Sequence, residues 1–382
     1  MKKKTDVVVI GGGCIGAAIA YELAKIGVND VVLVERDTLS SGATGRCAGG
    51  ARQQWSEPAN VLLAKASIEK FKRFEEEMGR DIGLVNGGYL LCAHTPDEAE
   101  RFKKNVKMQR ECGVDVRIVD PKEINEITPC LNTETIVCGA YCPDDLHADP
   151  FLAVQGWAEN AMRLGADVEL HTEIKGFKKK GNRVVTVLTN RGDIDCNWVV
   201  NAAGPWSQDV GRMLGIELGT YAERHQIAVT EPVQRMLWPL VVDFQVAIYF
   251  RQSAHGSFVF GHSDPNEKPS YNIRGTWGFL QHISKKLTYM VPSLKDICIV
   301  RQWAGLYDMS PDAQPILGKV SDEAENFLVA IGYSGHGFML APVTGVLMAE
   351  LIAYGQARSQ PIEPLSIKRF QGAKKHKEHN VV

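Results

Sequence analysis

An excess of charge of either sign is the first thing this 382-residue chain lacks: 43 lysines and arginines stand against 45 aspartates and glutamates, a formal net charge of -2. Without a basic excess there is no electrostatic footprint for nucleic acid. The only basic clusters, Lys2-Lys3-Lys4 and Lys374-Lys375-His376-Lys377, read as solubilising termini. No secretory signal is visible either: Val7-Val8-Val9-Ile10 is too short for the apolar centre of a signal and runs straight into glycines. No uninterrupted apolar run approaches the roughly 18 to 20 residues of a membrane span. The nine cysteines are odd in number and lack framework spacing, which fits reduced thiols and a cytoplasmic protein. Cys130, Cys138 and Cys142 lie closer together, but no second pair or histidine set completes a metal site, and none is expected.

Present instead is ample apolar material, 45% of residues, enough for about two packed units. Residues 5–10 read as a fully buried strand, 14–27 as a helix stopped by Gly27, and 31–35 as a second buried strand. That βαβ unit opens a doubly wound sheet. Residues 60–80 and 97–113 have the period of amphipathic surface helices, and 151–165 form another helix ending at Gly165. Strand-like runs follow at 167–171, 184–189 and 198–200. The stretch 222–310 alternates as an antiparallel sheet does, in 226–230, 246–250 and 257–260. A buried strand at 327–331, a glycine turn and a helix over 342–354 complete the pattern. The nucleotide-binding unit is thus expected to be discontinuous, with the sheet unit inserted.

Gly11-Gly12-Gly13-Cys14-Ile15-Gly16 is a G-x-G-x-x-G fingerprint between a strand and a helix. Gly11 allows the tight turn, Gly13 lets backbone approach a pyrophosphate, and Gly16 permits close helix–strand packing. The helix N-terminus then presents amides and a positive dipole end to phosphate. Glu35 ends the second strand, placed for a ribose hydroxyl. An ordinary glycine-rich turn would leave Glu35 unexplained. The fingerprint alone does not separate NAD from FAD. The residues after it, 37–50, are rich in glycine and hydroxyls and suit an extended cofactor with a flat ring.

With that segment the chain resembles the D-amino-acid oxidase superfamily of FAD enzymes. Within it the sequence is similar to the sarcosine oxidase β-subunit group, and in particular to the β subunits of dye-linked L-proline dehydrogenases. The resemblance covers nearly the whole chain. It implies an α/β fold (α+β overall): a Rossmann-like FAD-binding domain, residues 1–85, 145–220 and 320–382, with an inserted antiparallel β-sheet substrate domain, residues 86–144 and 221–319. It implies noncovalent FAD on Gly11, Gly12, Gly13, Cys14, Ile15, Gly16, Glu35 and Arg36, and along Ser41, Ala43, Thr44, Gly45, Arg46, Gly49 and Gly50. Ile174, in Thr172-Glu173-Ile174, matches the strand that holds the adenine. Ala202, Ala203, Gly204 and Trp206 match the turn that closes on the cofactor. Gly305, and the loop Gly332, Gly335, His336 and Gly337, match the surroundings of the flavin ring. Any one of these loops alone also reads as a plain strand-to-helix turn.

Flavin amine oxidation requires a held carboxylate, a neutral amine and an α-carbon facing flavin N5. Arginine or tyrosine in a dry pocket suits the carboxylate. Arg52, Tyr249 and Tyr307 are the candidates, with Arg301 a further one, and His336 and His225 can handle a proton. A surface or structural role is the alternative for each. D-amino-acid and glycine oxidases carry arginine where Tyr307 stands, and the flavin-linked cysteine of monomeric sarcosine oxidase falls near Gly305. That enzyme's oxygen-activating lysine falls near Val259, and its absence favours a dehydrogenase over an oxidase. Heteromeric relatives carry FMN at the boundary with a larger flavoprotein α subunit, and the matching stretch here holds His147. The alternative is that His147-Ala148-Asp149-Pro150 caps the following helix. The expected protein is an FAD-dependent amino-acid dehydrogenase subunit of a hetero-oligomer, acting on L-proline or a similar secondary amino acid and passing electrons to FMN or an external acceptor. Its rivals are a sarcosine or D-amino-acid oxidase producing hydrogen peroxide, and a passive FAD-carrying electron-transfer subunit.

Overall fold

A computed structural model of the chain describes residues 2–28, 30–371 and 377–380. Lys374, Lys375 and His376 of the basic tail lie outside the described residues. The first sheet is built on strand β1 (Lys4–Ile10), whose Val7, Val8 and Val9 are fully buried because both faces are covered. Helix α1 (Cys14–Lys25) and strand β2 (Val31–Val34) complete the βαβ unit, with β2 parallel to β1. The strand order is Ile316–Lys319, Phe327–Ile331, Gly192–Asn201, β1, β2, Asp167–Glu169, with the Ile174–Lys180/Arg183–Thr189 hairpin attached to Gly192–Asn201. Strand Ile316–Lys319 pairs here, so this sheet takes in residues earlier than 320.

Every residue of α1 from Cys14 to Ala24 is buried, which its run of alanines permits. Helices Pro150–Arg163 and Gly337–Tyr354 pack on it closely. The last of these differs from expectation. It begins five residues before Pro342, which sits inside it, and the Val343 N–H donates to Ser67 Oγ at 3.2 Å. At that full length the helix is long and apolar enough to cross a membrane, which the shorter span expected from the sequence was not. In the fold it is a core helix, between α1 and Pro58–Lys72. The bounds of the expected 60–80 helix are also corrected: it breaks into Pro58–Lys72 and Phe74–Met78, and its amphipathic pattern buries Val61, Leu63, Ile68 and Phe71 while Leu62 and Glu69 stay exposed.

The second sheet runs Ile299–Met309, Tyr221–Pro232, Ser257–His262, Ile248–Gln252, Leu240–Asp243, Tyr89–Ala93, Cys138–Cys142, Arg117–Val119. Its pairings are antiparallel except one: Leu240–Asp243 lies parallel to Tyr89–Ala93, which joins two distant stretches of chain. The stretch 222–310, expected as an antiparallel sheet, also contains helix Trp277–Met290. Thr276 caps it through the Phe279 N–H, and Phe279, Ile283, Leu287 and Met290 bury one face against Ala228, Phe250 and Phe258. That helical spacing was missed amid the strands.

Candidate active site

The turn after β1 is a cradle defined by what side chains would hit. Gly11 has φ +110°, and a Cβ there would lie 2.4 Å from the Ala202 carbonyl oxygen. A Cβ on Gly16 would lie 1.9 Å from the Gly11 oxygen, so α1 can seat only on glycine. Gly13 holds the N-cap position of α1 without a capping side chain, and the Cys14 N–H donates to Thr44 Oγ1 at 3.1 Å. Glu35 accepts from the Gly12 N–H at 2.7 Å and the Asp37 N–H at 2.9 Å. Beside it the Arg36 guanidinium lies 3.9 Å over the Trp206 ring, which stacks in turn on Tyr271.

From this end a continuous cavity of about 530 Å³ runs between the two sheets. Gly11, Gly13, Cys14, Ile15, Glu35, Arg36, Ser41, Ala43, Thr44, Arg46, Gly49 and Gly50 line it, as do Ile174, Ala202, Ala203, Gly204 and Trp206. Gly305, Gly335, His336 and Gly337 line its far part. Gly12, Gly16, Gly45 and Gly332 do not line it. The first three fit protein against protein, since Cβ atoms would meet Glu35 Cβ at 2.8 Å, the Gly11 oxygen, and the Ser40 oxygen at 2.3 Å. Gly332 donates its N–H to Asp308 Oδ2 at 2.5 Å.

The far part gathers Arg52, Tyr249, Tyr307, His336 and His225. Tyr89, which sequence reasoning missed, stands with them. Its hydroxyl fills the space where Gly50 would carry a Cβ, 1.7 Å from that position, and Gly335 makes the same room for the Tyr307 ring at 2.3 Å. Tyr249 hydrogen-bonds to Tyr307, and burial pushes both phenols above their ordinary value, so both stay protonated donors. The His225 ring stacks on Tyr307 at 3.5 Å, with Glu223 Oε1 at 3.3 Å from its Nε2. His336 is the N-cap of the Gly337–Tyr354 helix and lies edge-on to Trp55 at 4.2 Å. Burial first, and Arg52 second, hold its imidazole well below the usual range, hence neutral.

Arg52 is buried with its guanidinium 4.0 Å over the Trp55 ring. NH1 donates to the Gln54 carbonyl at 2.6 Å and NH2 to the Asn380 carbonyl. Among the described residues no carboxylate pairs with it. Burial lowers its pKa against the longer-range pull of Tyr89, Glu378 and Asp145, and a desolvated guanidinium without a direct ion pair, beside tyrosine hydroxyls, is a receptor for an anion. Two candidates lie elsewhere. Arg301 does not reach the cavity and sits 5.9 Å from the Trp303 ring. His147 is 1% exposed, on a strand paired with Gly50–Ala51, its Nδ1 3.4 Å from Arg251 NH1, so it is not on a boundary surface. Its neighbour Asp149 caps helix Pro150–Arg163 through the Phe151 and Leu152 N–H groups.

Further residues that the sequence did not mark line the same cavity. Cys47, whose thiol burial pushes up to about 12, lies between the glycines and the tyrosines. Asp308 adds a buried carboxyl pushed up to about 8. Tyr89 had one local signal, the Gly87-Gly88 pair before it. Cys47 lay within the 37–50 segment already assigned to the cofactor, and Asp308 had no local signal.

A glycine cradle on a helix N-terminus, an acid at the end of the second strand, and a long cavity closed by a second sheet define a dinucleotide-dependent oxidoreductase. The chain belongs to the FAD dependent oxidoreductase family, DAO, whose sequence profile matches residues 6–351. FAD is its cofactor, and the side-chain-free cradle and the continuous lining from Gly11 to the tyrosines fit that group. The chain is 30% identical to dimethylglycine dehydrogenase of Rattus norvegicus over 95% of its length. It spans only 44% of that protein. It is 29% identical to sarcosine oxidase subunit beta of Rhodobacter capsulatus, covering 93% of this chain and 86% of the other. The crystal structure of L-proline dehydrogenase from P. horikoshii matches with a TM-score of 0.93 at 36% identity, covering 97% of this chain and 99% of that one.

Proposed function

We propose that this FAD-dependent oxidoreductase oxidises the C–N bond of a small amino acid, with L-proline to 1-pyrroline-5-carboxylate the favoured reaction. The observation that carries the reading is Arg52: a buried cation, held by carbonyls and a ring face, at the tyrosine-lined end of the cofactor cavity. It receives the substrate carboxylate. Tyr89, Tyr249 and Tyr307 enclose the remainder and supply protonated hydroxyls. Bound FAD supplies the two-electron acceptor for the hydride on the α-carbon. The dry pocket and the Arg52 charge both lower the pKa of a bound ammonium, which favours the neutral amine the reaction needs. Neutral His336 is a nearby imidazole able to hydrogen-bond the amine, although the burial and Arg52 charge that keep it neutral disfavour its holding the proton.

The likeness to L-proline dehydrogenase over almost the whole of both chains supports a secondary amino acid. Sarcosine and dimethylglycine are the other secondary and tertiary amines that the relatives' names point to. No lysine lines the cavity among the described residues, which supports transfer of electrons to another acceptor rather than to oxygen. A larger partner subunit, with FMN between the two, remains part of this reading, supported by the similarity to a β subunit. The buried position of His147 speaks against its anchoring that FMN.

Arg52→Ala tests the carrying observation. Removing one charge-assisted carboxylate contact raises KM for L-proline by about 100-fold, from ~3 kcal/mol of lost binding. Arg52→Lys recovers part of it, since a point charge replaces a planar fork. Unchanged KM in both variants would refute the assignment.

A further inference from the structure

Residues 377–380 do more than trail from the fold. Glu378 is 1% exposed and Asn380 3%, burial that a free polar tail does not have. Glu378 Oε1 accepts from the Ser56 N–H at 2.9 Å, the Ser56 hydroxyl at 2.6 Å and the Asn380 N–H at 3.0 Å. Its Oε2 accepts from Asn60 Nδ2 at 2.9 Å. A buried carboxylate is thus met by neutral donors and by no cation within ion-pair distance among the described residues. The Glu378 N–H donates to the Asp312 carbonyl at 3.0 Å, and the His379 N–H to Ser56 Oγ at 3.0 Å. These bonds bring Asn380 against Arg52. Its side-chain amide donates to the Gln54 carbonyl at 3.2 Å, and its own carbonyl accepts from Arg52 NH2.

Arg52 is therefore gripped on two sides by backbone oxygens, one local at Gln54 and one more than 300 positions away. A carboxylate in the place of Asn380 would fix the guanidinium equally well but would neutralise it. A carbonyl fixes the plane without forming an ion pair; Glu378 acts on Arg52 only at longer range, so the guanidinium keeps its contact position for an incoming anion. We propose that Glu378 is a positioning residue for substrate binding: it clamps segment 377–380 so that the Asn380 carbonyl holds Arg52 in the orientation that receives the substrate carboxylate. The inference rests on the reading of Arg52 as the carboxylate receptor. Glu378 itself touches no reacting atom.

The test compares Glu378→Ala and Glu378→Gln with Arg52→Ala in the FAD-loaded full chain. Steady-state kinetics with L-proline are read beside the dissociation constant of pyrrole-2-carboxylate, a carboxylate without an α-hydride, from its perturbation of the flavin spectrum. Glu378→Ala raises KM and the dissociation constant by about tenfold, the equivalent of one lost hydrogen bond's worth of orientation, with kcat per flavin changed less than about threefold. Glu378→Gln restores both. Its amide oxygen keeps the Oε1 acceptor, and Asn60, whose Oδ1 is buried without a partner, can turn its amide to accept from the new Nε2. A lowered melting temperature and lowered kcat with KM and the dissociation constant unchanged would mean a merely structural role and overturn the proposal. Failure of the glutamine to rescue would overturn it as well. If Arg52→Ala weakens binding while Glu378→Ala does not, the positioning role alone falls. If Arg52→Ala leaves both constants unchanged, the receptor reading falls with it.

Discussion

Asp308 is a single residue whose surroundings set a measurable pH dependence. Its Oδ2 takes the Gly332 N–H, its Oδ1 is buried without a partner, and burial lifts its carboxyl to about 8. The folded state therefore binds a proton that the unfolded chain has already released. A raised folded pKa contributes stability that is fully present below the unfolded value and lost as pH rises through the folded one. The window runs from about 4 to about 8. Asp308→Asn removes this loss: its stability curve falls less steeply than wild type between pH 5 and 8, by at most ~1.4 kcal/mol per pH unit, one proton's worth. Denaturant unfolding of the FAD-loaded protein at several pH values checks it, and parallel curves would refute the assignment. At this scale the sequence is unevenly informative. Gly11, Gly13 and Glu35 announce themselves because their chemistry needs fixed neighbours in sequence. Asp308 gains its meaning only from burial beside residues far along the chain, and Tyr89 and Cys47 gain most of theirs the same way.

At the scale of elements, the Gly337–Tyr354 helix carries the most structural consequence. Its N-terminus borders the cavity and its body crosses α1 so closely that a Cβ on Gly345 would lie 2.7 Å from the Ala18 carbonyl oxygen. Backbone cannot yield as a flexible side chain does. Gly345→Ala forces the helices apart and costs about 1–3 kcal/mol, the usual range for overpacking. Because the same helix carries Gly337 and His336 at the cavity wall, FAD dissociates faster from this variant. Thermal denaturation and flavin-release fluorescence read the two effects, and a variant as stable and as tightly loaded as wild type would contradict the packing account. Glycines at 27 and 165 made the ends of α1 and of Pro150–Arg163 legible in the sequence. Pro342 had the opposite effect: a residue favoured in the first turn hid the real start, because Ser67 accepts the hydrogen bond that the distorted turn would otherwise lose. Helix Trp277–Met290 was hidden by its setting among strands, although its capping threonine and buried spacing are regular.

Across the whole molecule, two sheets of different construction meet along one cavity. The first sheet, parallel at its centre, supplies the phosphate cradle by local sequence, so that half of the site was readable early. The mixed sheet supplies Tyr89, Tyr249 and Tyr307 from strands 89–93, 248–252 and 299–309, and its one parallel join cannot be seen in any local pattern. Arg52 lies just beyond the cofactor loop, after the short strand Gly50–Ala51, and residues 377–380 return to it. The account stands or falls on a flavin in that cavity with amino-acid carbon within reach. Anaerobic mixing of the FAD-loaded protein with L-proline, sarcosine and D-alanine in turn tests this most directly. Loss of the oxidised flavin's visible absorbance with L-proline, faster than with the other two, is the predicted result; an unbleached flavin with all three would contradict it.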